Sequence, residues 1–538
     1  MTKQSKALAV VSALALAGVS VMLGATRLGV GVPPDSTVYF DAARNQAEGR
    51  GLIVMSGARA ELVPLTHYPP LFSSLLALAV SRGASVESAA RWLNAILFGL
   101  NIFLVGLAVS FWAGDSFWLP VWGAFLMLSA PDVLANHSVA MTEPLYLAMT
   151  FGGLLCLGGY LQNQRQRFLF AAAVLIALSS LTRYVGVTGI VTGIVALLLV
   201  RTKVDGEPRL GFSLSDLFVR RKFVDAVIFG ATASLPIFCW WIRNRLATGG
   251  AGGAADRQLA FHPIKVQNVV SGFSTVAQWL ALGKIRLDFR LAGFIVEFLL
   301  LVSLAIYMMK RGTRGEGIDA VARPILPQIL IVFIIVYVGI LVFTITFFEA
   351  DNVLDGRSLL PVHAALVVLA PWIGSLLYGR LPHSSSLRTV FVLIALLLVG
   401  SYALRGTRWL TAAQADAQGY AGRAWKGSPS IALMRNLPAG IPIYSNGVDA
   451  IYYLTGKHAH NIPEKIIHGT GRPNPRYEAE LVEMGDDMRS HHGVLVYFET
   501  LPERWFLPAE SELNSRLPLK EMTRLSDGSV YELQNRER

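Results

Sequence analysis

Apolar runs of about bilayer length recur through the first three quarters of this chain, and they limit what it can become. A helical crossing takes roughly 17–25 apolar residues. In hydrocarbon only helices or a closed barrel satisfy every backbone polar group. Residues 7–25, 92–111, 145–161, 223–242 and 325–348 all meet the helical length. Only 15% of the 538 residues are charged, where a soluble domain carries about a quarter. The chain therefore reads as an α-class polytopic membrane protein embedded in the lipid bilayer.

Lys and Arg in short loops set the orientation. Lys3 and Lys6 precede the first run, which is about bilayer length, where a cleaved signal peptide usually has a shorter core and an Ala-x-Ala-like site. It reads as an uncleaved helix with a cytoplasmic N-terminus. The large first loop, 27–91, is then extracytoplasmic. Residues 71–80 are too short to cross and read as an interfacial helix. Further spans are expected at 92–111, 117–130, 145–161, 168–181, 185–200, 223–242, 292–309, 325–348, 359–377 and 390–404. Basic loops at 162–167, 201–222 and 310–314 lie on the cytoplasmic side. This makes about eleven spans in a membrane module covering 1–404. The Gly/Ala-rich run 249–254 reads as a flexible external linker. From Arg405 the composition turns soluble. Strand-like runs at 441–444 and 494–498 predict a small extracytoplasmic α/β domain over 405–538.

The charge excess, 47 − 36 = +11, belongs to topology and anionic lipid. No basic domain with interleaved aromatics points to nucleic acid. Cys156 and Cys239 lie in apolar runs without metal-ligand spacing.

The polar clusters fall on one side of this topology. They are residues 35–68, 132–143, Arg183, 243–245 and 349–357. A transporter places charges at mid-membrane in broken helices; here they would rim one outer cavity beside lipid. Moving a sugar from a lipid-phosphate carrier needs a base for the acceptor and cations for the phosphate. Asp35 is the candidate base. Arg183, Arg243 and Arg357 are phosphate candidates, because guanidinium forks match phosphate oxygens. His67 and Tyr68 join them as candidates for binding the donor's phosphate and sugar. Glu143 or Asp41 is the candidate second acid. A divalent metal ion, if one binds, would use Asp35 and Glu143. Plainer roles compete with each assignment. Asp35 would also cap a helix beginning at Ser36, and Glu143-Pro144 would also simply start the fourth span. Asp41 and Glu48 would also suit a solvated face, and His67 and His137 an interface. The arginines would also anchor at head groups. No Walker loop, paired CxxC, HExxH or GxSxG motif is present.

Asp35-Ser-Thr-Val-Tyr39-Phe-Asp-Ala-Ala-Arg44, Gly49-Arg50-Gly51-Leu52, His67-Tyr-Pro-Pro-Leu71 and Ala90-Arg91-Trp-Leu-Asn94 together resemble the GT-C glycosyltransferases. The likeness is to the bacterial branch related to protein O-mannosyltransferases and lipid A aminoarabinose and galacturonic acid transferases. Met141-Thr-Glu143-Pro144, Leu181-Thr-Arg183, Trp241-Ile-Arg243-Asn244 and Gly356-Arg357-Ser-Leu-Leu-Pro361 extend it over roughly residues 1–380. The resemblance implies an inverting hexosyl- or pentosyltransferase on the outer face of the cytoplasmic (inner) membrane. It would take a polyprenyl-phosphate sugar and pass it to an acceptor glycan, lipid or protein. The family's catalytic acid falls on Asp35. Its Asp-Glu pair is Asp35-Ser36 here, which leaves Asp41 or Glu143 as the second acid. Its arginine before Leu-Leu-Pro falls on Arg357, with Ser358 in place of the usual tyrosine. Residues 443–446 and 452–456 resemble the external tail of some bacterial members. The competing readings are a transporter or flippase of lipid-linked saccharides, and a scaffold whose tail binds partners.

Overall fold

The first apolar run forms helix α1 (Lys3–Ala25), whose start is capped by the Thr2 hydroxyl on the Ser5 amide. The structure, a computed structural model, describes residues 2–56, 61–199, 220–249, 261, 264–280, 325–348, 353–381, 386–468, 471–501 and 504–534. The expected span 292–309, the run 250–254, the loop residues 201–219 and the acids Glu349 and Asp351 lie outside the described residues.

On the apolar side the chain continues as α4 (Val86–Ser110), α5 (Trp118–Ser129), α6 (Pro131–His137), α7 (Glu143–Asn163), α8 (Gln166–Thr182) and α9 (Val187–Leu199). Then follow α10 (Arg220–Ala247), α11 (Val266–Leu280), α12 (Ile325–Phe347), α13 (Leu360–Arg380) and α14 (Ser386–Ala415). Eleven spans were expected. Among the described residues, seven helices are long and apolar enough to cross a membrane, or eight if the bent pair α5 and α6 is one span. The bend is 59° and falls where extended Ala130 precedes Pro131, which disfavours a helical residue before it. Helix α8 ends at Thr182 because Arg183 after it is extended (φ −146°, ψ 139°).

Packing between α1 and α4 uses small residues, as helices in lipid do. A Cβ on Gly99 would come within 2.7 Å of the Ala15 carbonyl oxygen and 2.6 Å of Val19 Cγ2.

The polar end of the bundle is built from α2 (Pro34–Ala47), a hairpin of β1 (Ile53–Ser56) with β2 (Glu61–Pro64), and α3 (Leu71–Val80). The hairpin was not anticipated; α3 is the short helix expected at the interface. Residues Gly31 and Val32 lie between two distant segments. Gly31 exchanges backbone bonds with Ser138 and Ala140, and Val32 with Gln418 and Tyr420. Three parts of the chain, far apart in sequence, are thereby fixed at one end.

The α/β elements follow Ala415, since α14 continues through Arg405. Strands β3 (Ile443–Ser445), β4 (His460–Asn461), β7 (Val494–Phe498), β8 (Leu519–Leu525) and β9 (Gly528–Leu533) form a five-stranded sheet in the order β4-β3-β7-β9-β8. A small pair of β5 (Ile466–Ile467) with β6 (Arg472–Pro473) stands apart. Alternation along the strands covers both faces of the larger sheet. Ile443, Val494, Val496 and Val530 pack with Ile431 and Ile451. Tyr444, Leu495 and Tyr531 pack with Leu481, Met484 and Leu513. The first expected strand lies two residues further on, and the second coincides with β7.

Gly99→Leu drives a side chain into the α1 backbone. It should lower stability by about 1–3 kcal/mol or more, seen as a lower thermal unfolding midpoint in detergent; an unchanged midpoint would contradict the close packing.

Candidate active site

Pro33 takes the cap position of α2, and Pro34 starts the helix with its φ already suited to it. Asp35 is thus inside the first turn, and the cap makes no side-chain hydrogen bond. This corrects the expectation that Asp35 caps a helix beginning at Ser36. Its carboxylate is available elsewhere, and it accepts a hydrogen bond from Arg357 NH2 at 2.8 Å. Ser36 instead points inward, donating to the Ala140 carbonyl at 2.8 Å.

Arg357 also pairs through Nε with Glu143 Oε1, and Glu143 Oε1 is paired again with Arg183 NH1. Four side chains, two acidic and two basic, therefore form one alternating chain. Glu143 is its most buried member, 2% exposed against 25% for Arg183, 30% for Asp35 and 40% for Arg357. Burial works against the Arg357 cation, but Glu143 and Asp35 together hold its pKa well above the usual value. Arg183 NH1 also donates to the Thr142 hydroxyl at 3.1 Å. Among the described residues, Arg357 NH1 and Arg183 NH2 make no hydrogen bond, and the buried Glu143 Oε2 has no partner. The cluster keeps open donors on its two guanidinium groups.

Each member is held from behind. Glu143 is the first residue of α7, followed by Pro144. The Pro144 carbonyl accepts from Asn101 Nδ2 at 2.9 Å, and the same amide lies 3.0 Å from His137 Nε2. His137 Nδ1 is 2.7 Å from the Val133 carbonyl, so the proton sits on Nδ1 and Nε2 accepts. His137 was expected at an interface; it is fully buried in this network. Arg183 is followed by a turn that folds tightly onto α8. A Cβ on Gly186 would stand 2.5 Å from Ser180 Cα. Arg357 rides on a turn closed by Asp355, whose Oδ1 accepts from the amides of Arg357 (3.1 Å) and Ser358 (2.8 Å). Tyr337 donates to the Ser358 carbonyl at 2.7 Å. Gly356 leaves room for Asp132, whose Cγ would be 2.9 Å from an added Cβ.

Tyr39 shares the Asp35 face of α2, four residues on. It is buried against Tyr68 (ring centroids 4.8 Å) and Phe72 (5.4 Å). Burial, then the Asp35 and Glu143 charges, raise its hydroxyl pKa. Tyr68 is raised as well, by burial and then by Asp35, which its side chain approaches. The turn 68–70 therefore closes over the acid. His67 is exposed and meets Tyr68 edge-on at 4.5 Å.

Two predicted residues stand apart from the cluster. Asp41 is six residues beyond Asp35, about 240° around the helix. It binds the Met55 amide, Asn45 Nδ2 (3.2 Å) and Tyr452 OH (2.7 Å). It ties the hairpin and the C-terminal domain to α2. Arg243 donates to the carbonyls of Leu65 (2.6 Å) and Leu52 (3.1 Å) and lies over the Trp240 ring. It gathers the first loop by its backbone. The residues not foreseen are Tyr39, Thr142, Asp355 and Tyr337. Of these, only Tyr39 carried a sequence signal, its i+4 spacing from Asp35.

Among the described residues no group of three His, Cys, Asp or Glu is placed to hold a metal. Asp35 and Glu143, the pair considered for a divalent ion, are bridged by a guanidinium, so this donor set does not fit such an ion.

No family model and no curated protein matches the chain. Solved structures do. ArnT from Cupriavidus metallidurans, bound to undecaprenyl phosphate, has a TM-score of 0.52 at 13% identity, covering 96% of this chain and 97% of its own. The archaeal oligosaccharyltransferase AglB from Archaeoglobus fulgidus, in complex with an inhibitory peptide and a dolichol-phosphate, has a TM-score of 0.52 at 12% identity, covering 97% and 74%. The arabinofuranosyltransferase AftD from Mycobacteria has a TM-score of 0.50 at 13% identity, covering 98% of this chain and 40% of its own. These are GT-C glycosyltransferases. At such identities the likeness is one of fold, and the chain has the GT-C fold of a multi-pass membrane protein.

Arg183→Gln leaves Glu143 buried with a single partner. The loss should cost about 3–5 kcal/mol, read as a fall in thermal midpoint, and Glu143→Gln in the same chain should recover part of it. An unchanged midpoint in Arg183→Gln would contradict the pairing.

Proposed function

We propose that this protein transfers a hexosyl or pentosyl unit from a polyprenyl-phosphate donor to an acceptor, with inversion, at the outer face of the cytoplasmic membrane. The N-terminus is cytoplasmic and the C-terminal domain extracytoplasmic in this reading. One observation carries it: the alternating chain of Asp35, Arg357, Glu143 and Arg183, open to solvent at the polar end of a GT-C bundle. That two structures of this fold hold a polyprenyl or dolichol phosphate supports the donor class.

The chemistry follows from which groups are free. The donor phosphate engages the open nitrogens of Arg357 and Arg183, in the bidentate style that suits guanidinium. It competes with Asp35 for Arg357, and Asp35 is released toward the acceptor. Asp35 then takes the proton of the acceptor hydroxyl or amine as that atom attacks the anomeric carbon. The new bond forms as the bond from that carbon to the phosphate oxygen breaks. The electron pair leaves with the lipid phosphate, whose charge the two arginines stabilise. A single displacement inverts the anomeric centre. Glu143 does not touch the reacting atoms; it fixes both arginines. Tyr39 and Tyr68 wall the Asp35 carboxylate. Arg243 and Asp41 act at a distance, by shaping the loop that carries Tyr68.

A flippase or transporter would need charges along a path through the bundle. The cluster lies instead where α2, α7, the turn between α8 and α9, and the start of α13 meet at one end, which favours the transferase.

Asp35→Asn, assayed in membranes with a panel of lipid-phosphate sugars, should lower transfer by at least about 100-fold, the usual worth of a general base. Full activity in a correctly inserted variant would remove Asp35 from this role.

A further inference from the structure

A cavity of about 240 Å³ backs onto the Arg357 turn. Its wall is shared with that turn: Asn136 Nδ2 of α6 donates to the Gly356 carbonyl at 3.4 Å, and Asp132 packs against Gly356. The cavity is otherwise lined from α11, α13 and α14. It does not reach the Asp35 carboxylate.

Two buried nitrogens of this lining, on His363 and Arg405, have no hydrogen-bond partner. Trp279 stacks flat on His363 (4.3 Å, 7° between planes) and gives its indole N–H to Asp132 at 2.8 Å. The one carboxylate of the lining is thereby engaged. His363 is 2% exposed and pairs through Nε2 with Tyr402 at 3.0 Å, but its Nδ1 is buried with no partner. Arg405 lies over the Tyr402 ring and reaches the carbonyls of Gln278 and Trp279, yet its Nε is buried and unpartnered. The exposed side chain of Arg408, three residues further along α14, makes no ion pair or hydrogen bond among the described residues. Two guanidinium groups thus face one carboxylate that is already bonded. Buried polar groups without partners are costly, so the cavity is suited to an anion rich in acceptor oxygens. Water alone could fill it, at roughly eight molecules of 30 Å³, but would leave the positive excess uncompensated.

The depth of the site selects the source of that anion. Arg405 is the first charge after the apolar stretch 390–404 of α14, so it sits at head-group level. We propose that this cavity binds the phosphate of an anionic lipid head group, with the polar head lying along the Trp279 and His363 stack. The site is separate from the Asp35 cluster and does not depend on the transfer chemistry.

The test uses the full chain in nanodiscs with a phosphatidylglycerol bearing a photoactivatable head group, and maps the labelled peptides by mass spectrometry. Label should fall on α14 around residues 402–408 and on the end of α11. Excess phosphatidylglycerol should erase it and excess phosphatidylcholine should not. Arg405→Gln with Arg408→Gln should cut it at least tenfold. Arg408→Gln alone, at an exposed and unpaired side chain that the fold does not need, should cut it at least threefold. Absence of label from α14 and α11, or full labelling in the Arg408→Gln variant, would overturn the proposal. Erasure by inorganic phosphate at the concentration where the lipid competes would mean a site for the free ion and would overturn the lipid assignment. None of these readouts requires sugar transfer, so they stand or fall apart from the proposed activity.

Discussion

Glu143 is a carboxylate almost wholly out of water, and the polar end of the molecule is arranged around that fact. A buried charge persists only if it is paired, and Glu143 is paired twice, to Arg183 and Arg357. These partners come from the turn between α8 and α9 and from the turn before α13. Arg357 then reaches the more exposed Asp35. The acid that is costly to bury thus sets the position of both cations, and one cation sets the position of the second acid. The supports behind them are the Asn101 and His137 pair beneath Pro144, the Asp355 turn, and the close approach at Gly186.

The membrane gives this arrangement its place. Spans such as α1 and α4 carry small residues at their contact and no charge in their apolar windows. The ion pairs collect where the apolar helices end. Backbone bonds of Gly31 and Val32 to residues 138–140 and 418–420 tie the first loop to α7 and to the C-terminal domain. Tyr452 reaching Asp41, and Tyr420 and Ala450 packing in one cluster with Tyr39 and Phe40, bring that domain against α2. The domain is a brace for the loop that carries Asp35 and Tyr68.

Much of this was legible in the chain. Apolar length gave the long helices, and charge in short loops placed Asp35, Glu143, Arg183 and Arg357 on a common side. The structure brings those four into contact. What composition could not give is direction. Asp41 shares a helix with Asp35 yet turns to another face, where a hairpin too short to carry a strand pattern meets it. Arg243 follows an apolar run in the sequence as Arg183 does, but its reach ends on loop carbonyls whose position depends on tertiary packing. Tyr337 lies mid-helix among apolar residues and looks like core; only the fold puts its hydroxyl under the Ser358 carbonyl. Helix α8 ends at Thr182, where Arg183 takes an extended backbone.

The central claim is that Arg357 is shared, held by Asp35 until a lipid phosphate takes it. Equilibrium binding of sugar-free polyprenyl phosphate to the wild-type chain and two variants tests this directly. Arg357→Gln should weaken binding at least about tenfold, as loss of a charged hydrogen bond of 1.5–3 kcal/mol implies. Asp35→Asn should bind as tightly as wild type or tighter, because the competitor for the guanidinium is gone. Equal weakening in both variants, or no change in Arg357→Gln, would contradict the account.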